Sequence, residues 1–506
     1  MAHNPSTPPP PESFPAAVYA RTVLRVNFED AQRYFLDPLI EISAAHAIML
    51  AQQGIISPAE ARAGLAAIQD LDSAAARASV AAAVYDGSFE DLFFYLEQRL
   101  TAAVGIDLAG KLHTARSRND IDLTQYRMAL RREVLDIAAI SHRLGRTVLA
   151  LARAHAADLM PAHTHTQPAQ PTTIGHYLAG ALECFVRDGE RLRAAFRTVN
   201  RNPLGACAIT TTGFPIDRGT TARLLGFEGL QVNSYGAIAA IDYLTEIAGA
   251  IATAMVNLGK LVQDLLLWCT VDYGFLRLSD AWVQTSSIMP QKRNPVALEH
   301  TRILASKALA QAQGVFTCAH NTPFGDIVDS EDDLQPLAFS MLRDAGRALE
   351  LFTGVLGGCT FNRERLRQRA HGDFLTVTEL ADTLVRRAGL GFRVAHHLVS
   401  EAVRAASIGG EVSNPALLGH LRRLAPALTG APVKLSEAEL LEALDPEHFV
   451  AIRTIPGGPA PAPLAAALNQ SEAELDHAQV WLEEKTRLLA AYPELIRQAA
   501  AALPAG

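Results

Sequence analysis

The chain has 506 residues, 49% of them hydrophobic and only 6% aromatic, with a formal net charge of −8. That length exceeds one compact core and fits two or three domains, and an alanine-rich, aromatic-poor composition favours close-packed helices over sheets. The mild acidity, with no basic stripe carrying interleaved aromatics, excludes a nucleic-acid partner.

Residues 1–20, opening MAHNPSTPPPPESFP, read as a disordered arm without the charged and apolar regions of a signal peptide. From Phe35 to Leu71 the pattern predicts helices with a turn near Gln53-Gly54. Ser57, Pro58 and Glu60 supply an N-cap, an N1 proline and an N3 acid. A break near Tyr85-Asp86-Gly87 precedes a helix over 89–104, and the segment AGKLHTARSRND then reads as a polar loop. Residues 21–120 thus form an N-terminal helical domain.

The region 121–364 predicts a central bundle of long helices. No proline occurs between Asp122 and Met160 or between Gly236 and Leu278. In the second span Leu244, Ile247, Ile251, Met255, Leu258, Val262 and Leu265 fall three or four apart and line one helical face. About 34 helical residues from Gly236 would run roughly 50 Å. Further long helices are expected over Thr173–Val199, from Pro295 and from Asp333, while Gly205–Asp217 looks irregular. Residues 365–506 predict a C-terminal domain of shorter helices, broken at Gly409-Gly410, Pro426, Pro432 and Pro456–Pro463. The fold class is all-α. No uninterrupted apolar run predicts a membrane span. Five scattered cysteines (Cys184, Cys207, Cys269, Cys318, Cys359) form no CxxC, which argues against disulfides and for a reducing cytoplasm.

Three polar clusters interrupt this apolar text: His113–Asp120, His163–Gln167, and the loop SSIMPQKRNP over Ser286–Pro295. Each sits at the end of a predicted long helix, so one site could be assembled from all three. Ser117, Arg118, Asn119, Thr164, Lys292 and Asn294 are donors suited to carboxylates. His165 can pass a proton near neutral pH. His163 and His165 form an HxH without a third ligand, so no metal is expected; no phosphate-binding glycine motif or GxSxG elbow is present, so no nucleotide cofactor is expected either. Taken singly, each cluster reads as readily as a capping loop, a polar turn or a solvated basic loop.

Together and in this order they resemble a known pattern. SSIMPQKRNP resembles the signature loop of the aspartase/fumarase superfamily: Gly-Ser-Ser, two residues, Pro, one residue, Lys, one residue, Asn. GKLHTARSRND and THTQPAQPTTIGHYL resemble the argininosuccinate lyase branch, and the likeness runs from about Leu24 to about residue 470. The resemblance implies a three-domain helical fold, a homotetramer with a central long-helix bundle, and active sites where three subunits meet. It implies a cofactor-free elimination that releases fumarate and an amine. Ser286 would be the base, and Lys292 and Asn294 would stabilise the aci-carboxylate. Ser117, Arg118, Asn119 and Thr164 would hold substrate carboxylates. His165, paired with Glu299, would move a proton to the leaving amine.

Some positions depart from the pattern. Thr285 stands where the signature has glycine, Ile121 replaces a glutamine and Ile241 an arginine. Where argininosuccinate lyases hold the arginine end with tyrosine, glutamine and lysine, this chain aligns Gly325, Ser330 and Asp333, and no tyrosine or lysine occurs between Asn321 and Leu334. The expectation is a carbon–nitrogen lyase for an N-substituted aspartate other than argininosuccinate, of the ethylenediamine-disuccinate or iminodisuccinate kind. Argininosuccinate lyase is the alternative; a non-catalytic structural homologue is a second, opposed by the intact Ser286, Lys292, Asn294, His165 and Glu299.

Overall fold

The computed structural model describes residues 14–410 and 412–504. Thirteen residues of the expected N-terminal arm lie outside them. The arm is shorter than expected, because helix begins at Ala17 and runs on to Tyr34. Ser57 caps the helix Pro58–Leu71 in a full capping box with Glu60, as its sequence predicts. The supposed loop AGKLHTARSRND is mostly helical: a short helix spans Ile106–Leu112, and the next helix starts at Arg118 because Ser117 and Asp120 form a second capping box.

Six long helices build the centre: α1 (Arg118–Ala154), α2 (Ile174–Val199), α3 (Asp242–Trp268), α4 (Val296–Ala319), α5 (Gln335–Gly357) and α6 (Pro461–Ala501). α1 packs on α2 and α5, α3 on α2, α4 and α5, and α6 on α1 and α2. The seven apolar residues predicted to share a face of α3 are all buried. α3 is shorter than the predicted span from Gly236, because the backbone leaves helical geometry at Ala240 and restarts at Ile241. By length and composition α3 could cross a bilayer, contrary to the sequence expectation, yet its place is inside the bundle.

The directions alternate. Arg127 lies over the Tyr243 ring at 4.3 Å, so α3 starts beside the N-terminal end of α1. Arg302 donates to Gln263 at 2.8 Å, so α4 starts beside the far end of α3. Gln335 lies against Tyr243, so α5 starts again at the first end.

The largest departure is at the C-terminus. The expected domain over 365–506 is divided. Residues 380–444 have their own core, around Leu380, Leu384, Leu398, Leu417, Leu421 and Leu440. The 41-residue α6 instead buries Leu464, Leu468, Leu475 and Leu482 in the central bundle and Tyr492 and Ile496 among the N-terminal helices. Its prolines disguise it. Pro461 and Pro463 fall in the first turn, where no intrahelical N–H partner is needed, and only Pro493 is internal.

Candidate active site

At the N-terminal end of α1, Ser117 is extended (φ −130°, ψ 164°) and its backbone N–H donates to Asp120 Oδ1 at 2.9 Å. The other oxygen of Asp120 accepts the Gly205 and Cys207 N–H groups at 2.8 and 2.9 Å, tying the irregular 205–217 segment onto the helix end. Burial raises the Asp120 carboxyl to about 6, with those three backbone donors opposing the rise. Asn119 Nδ2 donates to the Ala208 carbonyl at 3.1 Å. Arg118 does not present a free guanidinium. It pairs with Asp91, the N-cap of the helix Leu92–Val104, and with Asp122 at 2.9 Å, and lies over the Phe93 ring. In the single chain two carboxylates already face it.

The same end gathers the acidic residues of the 326–333 stretch and Asp122, which the sequence reading does not place in the site. Tyr126 donates to Asp332 Oδ1 at 2.6 Å, bringing the segment before α5 against α1. Burial pushes the Asp122 carboxyl up to about 7 despite Arg118 beside it. Burial, and then the neighbouring Asp326, push Glu331 well above the usual carboxylate range. The one signal available was spacing: Asp122 is four residues from Arg118 on a helix, which puts the two side chains on one face.

At the other end of α1 a hairpin replaces the expected polar turn. Strand β1 (Leu159–Thr164) pairs with β2 (Gln167–Thr173), with Thr164 opposite Gln167. The two-residue turn is His165-Thr166, both left-handed at φ 51° and 62°. Such turns match the twist of paired strands but favour Asn-Gly, so a β-branched Thr166 here is strained by about 1–3 kcal/mol. Thr164 and His165 are exposed at the tip.

The signature-like loop is also a hairpin. Strand β3 (Gln284–Thr285) pairs with β4 (Arg293–Asn294) and presents residues 286–292 between them. Thr285 is an extended residue opposite Arg293 with no left-handed angle, so a β-branched side chain suits the place of the signature glycine. Ser286 Oγ accepts the Ile288 and Met289 N–H groups at 3.3 and 3.0 Å. Two such donors favour a negatively charged oxygen, the form a serine base needs. Lys292 is exposed, Asn294 half-buried, and Glu299 exposed in the first turn of α4.

The two hairpins share one end of the bundle. His163 packs 6.1 Å from Tyr273, and Phe361, whose strand pairs with Leu276–Leu278, lies 4.9 Å from His155 at the end of α1. Ser117, Arg118 and Asn119 are at the opposite end of a 37-residue helix, about 55 Å away. Among the described residues no hydrogen bond or ion pair joins His165 to Glu299 or either hairpin to the Arg118 cluster. One chain therefore cannot unite all three clusters.

The site is thus built on long antiparallel helices with polar loops at both ends. A lyase family model matches residues 21–310, and a model of the argininosuccinate lyase C-terminal region matches 374–451. The chain is 41% identical over 455 residues to "Argininosuccinate lyase 2" of Agrobacterium fabrum, covering 90% of each chain. It is 38% identical to "Argininosuccinate lyase" of Methanoculleus marisnigri, covering 93% of this chain and 94% of that one. Among solved structures, EDDS lyase with formate, and a doubly substituted variant of it with bound fumarate, each superpose with a TM-score of 0.85 at 33% identity, covering 93% of this chain and 92% of theirs. The chain belongs to the argininosuccinate lyase branch of the aspartase/fumarase superfamily. Its enzyme class is that of the fumarate-releasing carbon–nitrogen lyases.

Proposed function

We propose that the protein eliminates an amine from an N-substituted aspartate of the diamine-disuccinate type, releasing fumarate without a cofactor, in sites shared between the subunits of a homotetramer. Ser286 takes the Cβ proton, the C–N bond breaks, and the electron pair leaves with the nitrogen. Lys292 and Asn294 stabilise the aci-carboxylate that forms before the bond breaks, where fixed donors act most strongly. His165, with Glu299 from another subunit, protonates the departing amine. Thr164, Ser117, Arg118 and Asn119 hold the substrate carboxylates. The five cysteines are free thiols, in keeping with a cytoplasmic location.

The observation that carries the substrate reading is the acidic segment at the N-terminal end of α1. Asp326, Glu331, Asp332 and Asp333 come from a stretch without lysine or tyrosine, so the segment itself offers no cation to the far carboxylate of an arginine leaving group. A diamine disuccinate offers a second nitrogen to these acids, while burial raises the Glu331 carboxyl and so favours the form that can donate to a carboxylate. The likeness to EDDS lyase supports this choice. A second reading, argininosuccinate itself, is favoured by the names of the relatives.

Comparing kcat/KM for fumarate appearance from a diamine disuccinate, iminodisuccinate and argininosuccinate decides between them. Like charge and unmet hydrogen bonds should set argininosuccinate about a hundredfold or more behind. Argininosuccinate ranking first overturns the reading.

A further inference from the structure

Behind the β1–β2 hairpin lies a cavity of about 690 Å³ that contains neither Ser286 nor the Arg118 cluster. It is walled by the hairpin, α2, the end of α3 and the turn before α6. Its volume lies in the range of small-molecule pockets. Tyr177, Trp268, Tyr273 and Phe449 line it, with the first two rings 4.9 Å apart.

The charge of the lining is one-sided. Asp264 accepts the Tyr177 hydroxyl at 2.7 Å and makes no ion pair among the described residues. Glu183 is held only loosely, by Arg187 at 3.9 Å on an exposed helix face. The cation of the lining, Arg453, shares the buried Glu379 with Arg386, at 3.3 Å from it, and packs on the Phe449 ring, at the end of the cavity away from Asp264's helix. An anion near α2 and α3 would meet the carboxylates of Asp264 and Glu183. An organic ammonium would meet a carboxylate and aromatic rings, the combination that attracts it by both Coulomb and cation–π terms.

The cavity also touches the hairpin on either side of His165, since His163 and Thr166 line it. Thr166 is the strained left-handed residue of the tip. An occupant therefore bears on the backbone that aims His165.

We propose that this cavity binds a small organic ammonium ion and that its occupancy steadies the hairpin carrying His165. The binding stands independently of the proposed reaction; only a consequence for turnover rests on His165 acting there.

The test uses the full chain and choline as probe, against its uncharged carbon isostere, dimethylbutanol. Calorimetry should show one choline bound per chain, with the isostere at least about tenfold weaker and Asp264→Asn weakening choline at least about tenfold. Amide hydrogen exchange at Thr164–Gln167 should slow on choline addition in the native protein and not in Asp264→Asn. Asp264 is exposed, so this variant folds. No choline binding, or equal binding of choline and isostere, overturns the site. Binding without slowed exchange at the hairpin overturns the coupling. Neither result depends on which aspartate derivative is cleaved.

Discussion

The Tyr126 hydroxyl donates to the Asp332 carboxylate at 2.6 Å, joining the first long helix to the acidic segment before the fifth. Tyr126 is fully buried, so its hydroxyl has no water to turn to. Tyr126→Phe should lower stability by about 1–3 kcal/mol, the range for a hydrogen bond to a charged group. Denaturant unfolding measures this. Substrate KM should rise more than kcat falls, because the acidic segment loses its tether while Ser286 is untouched.

Asp122 makes stability depend on pH. Its folded value, raised by burial to about 7, lies above the ordinary value of 3.8, so the folded state holds the proton more tightly. Between those values the folded chain binds more protons than the unfolded one, and stability falls as pH rises. Below about 4 and above about 7 the group contributes no slope. Asp122→Asn should remove this component, so urea midpoints of variant and native protein should diverge in the variant's favour from pH 4 to 7. Parallel curves would show that Asp122 is ionised throughout.

Ser286, and not Ser287, receives two loop N–H groups. Ser286→Ala should reduce kcat by about a thousandfold, within the range for removing a general base. Ser287→Ala should retain most activity. Circular dichroism and light scattering should be unchanged in both. The reverse pattern would reassign the base.

The separation of about 55 Å along α1 predicts shared sites. Ser286→Ala and Asn119→Ala should each be inactive alone. Denatured together and refolded, they should recover about a quarter of native activity, the fraction of sites in which Ser286 and Asn119 each come from the variant that retains that residue in a randomly mixed symmetric oligomer. An active monomer by light scattering would contradict this.

Gly175 sets how closely α2 approaches the end of α1. A Cβ there would lie 2.5 Å from the Ala152 carbonyl oxygen and 2.6 Å from Ala156 Cα, both backbone. Gly175→Ala should cost about 1–3 kcal/mol, as overpacking does. Gly189, on the same helix, has nothing within 4 Å of such an atom, and Gly189→Ala should stabilise by up to about 1 kcal/mol. Thermal melts of the two variants provide the comparison.

Local pattern explains what could be read in advance. The α3 face from Leu244 to Leu265 was visible because burial repeats at helical spacing, and the Ser57 cap because its partner is three residues away. The hairpin was hidden because Pro161, Pro168 and Pro171 look like breakers, although two paired strands accommodate them. The α6 helix was hidden for a similar reason. The polar clusters could be listed, but the pairing of Arg118 with Asp91 joins residues 27 apart, and no periodicity encodes it.

The last helix also dictates when the protein can finish folding during synthesis. The groove it fills is lined by residues such as Gly145, whose place against Leu475 leaves no room for a side chain, and Arg153, which pairs with Glu472. Until the residues of α6, Pro461–Ala501, have been made, that groove has no occupant in its own chain. The unit around residues 380–444, with a core of its own, can fold earlier. A nascent chain stalled before Pro461 thus carries one unit with its own core and one bundle whose apolar groove is still open.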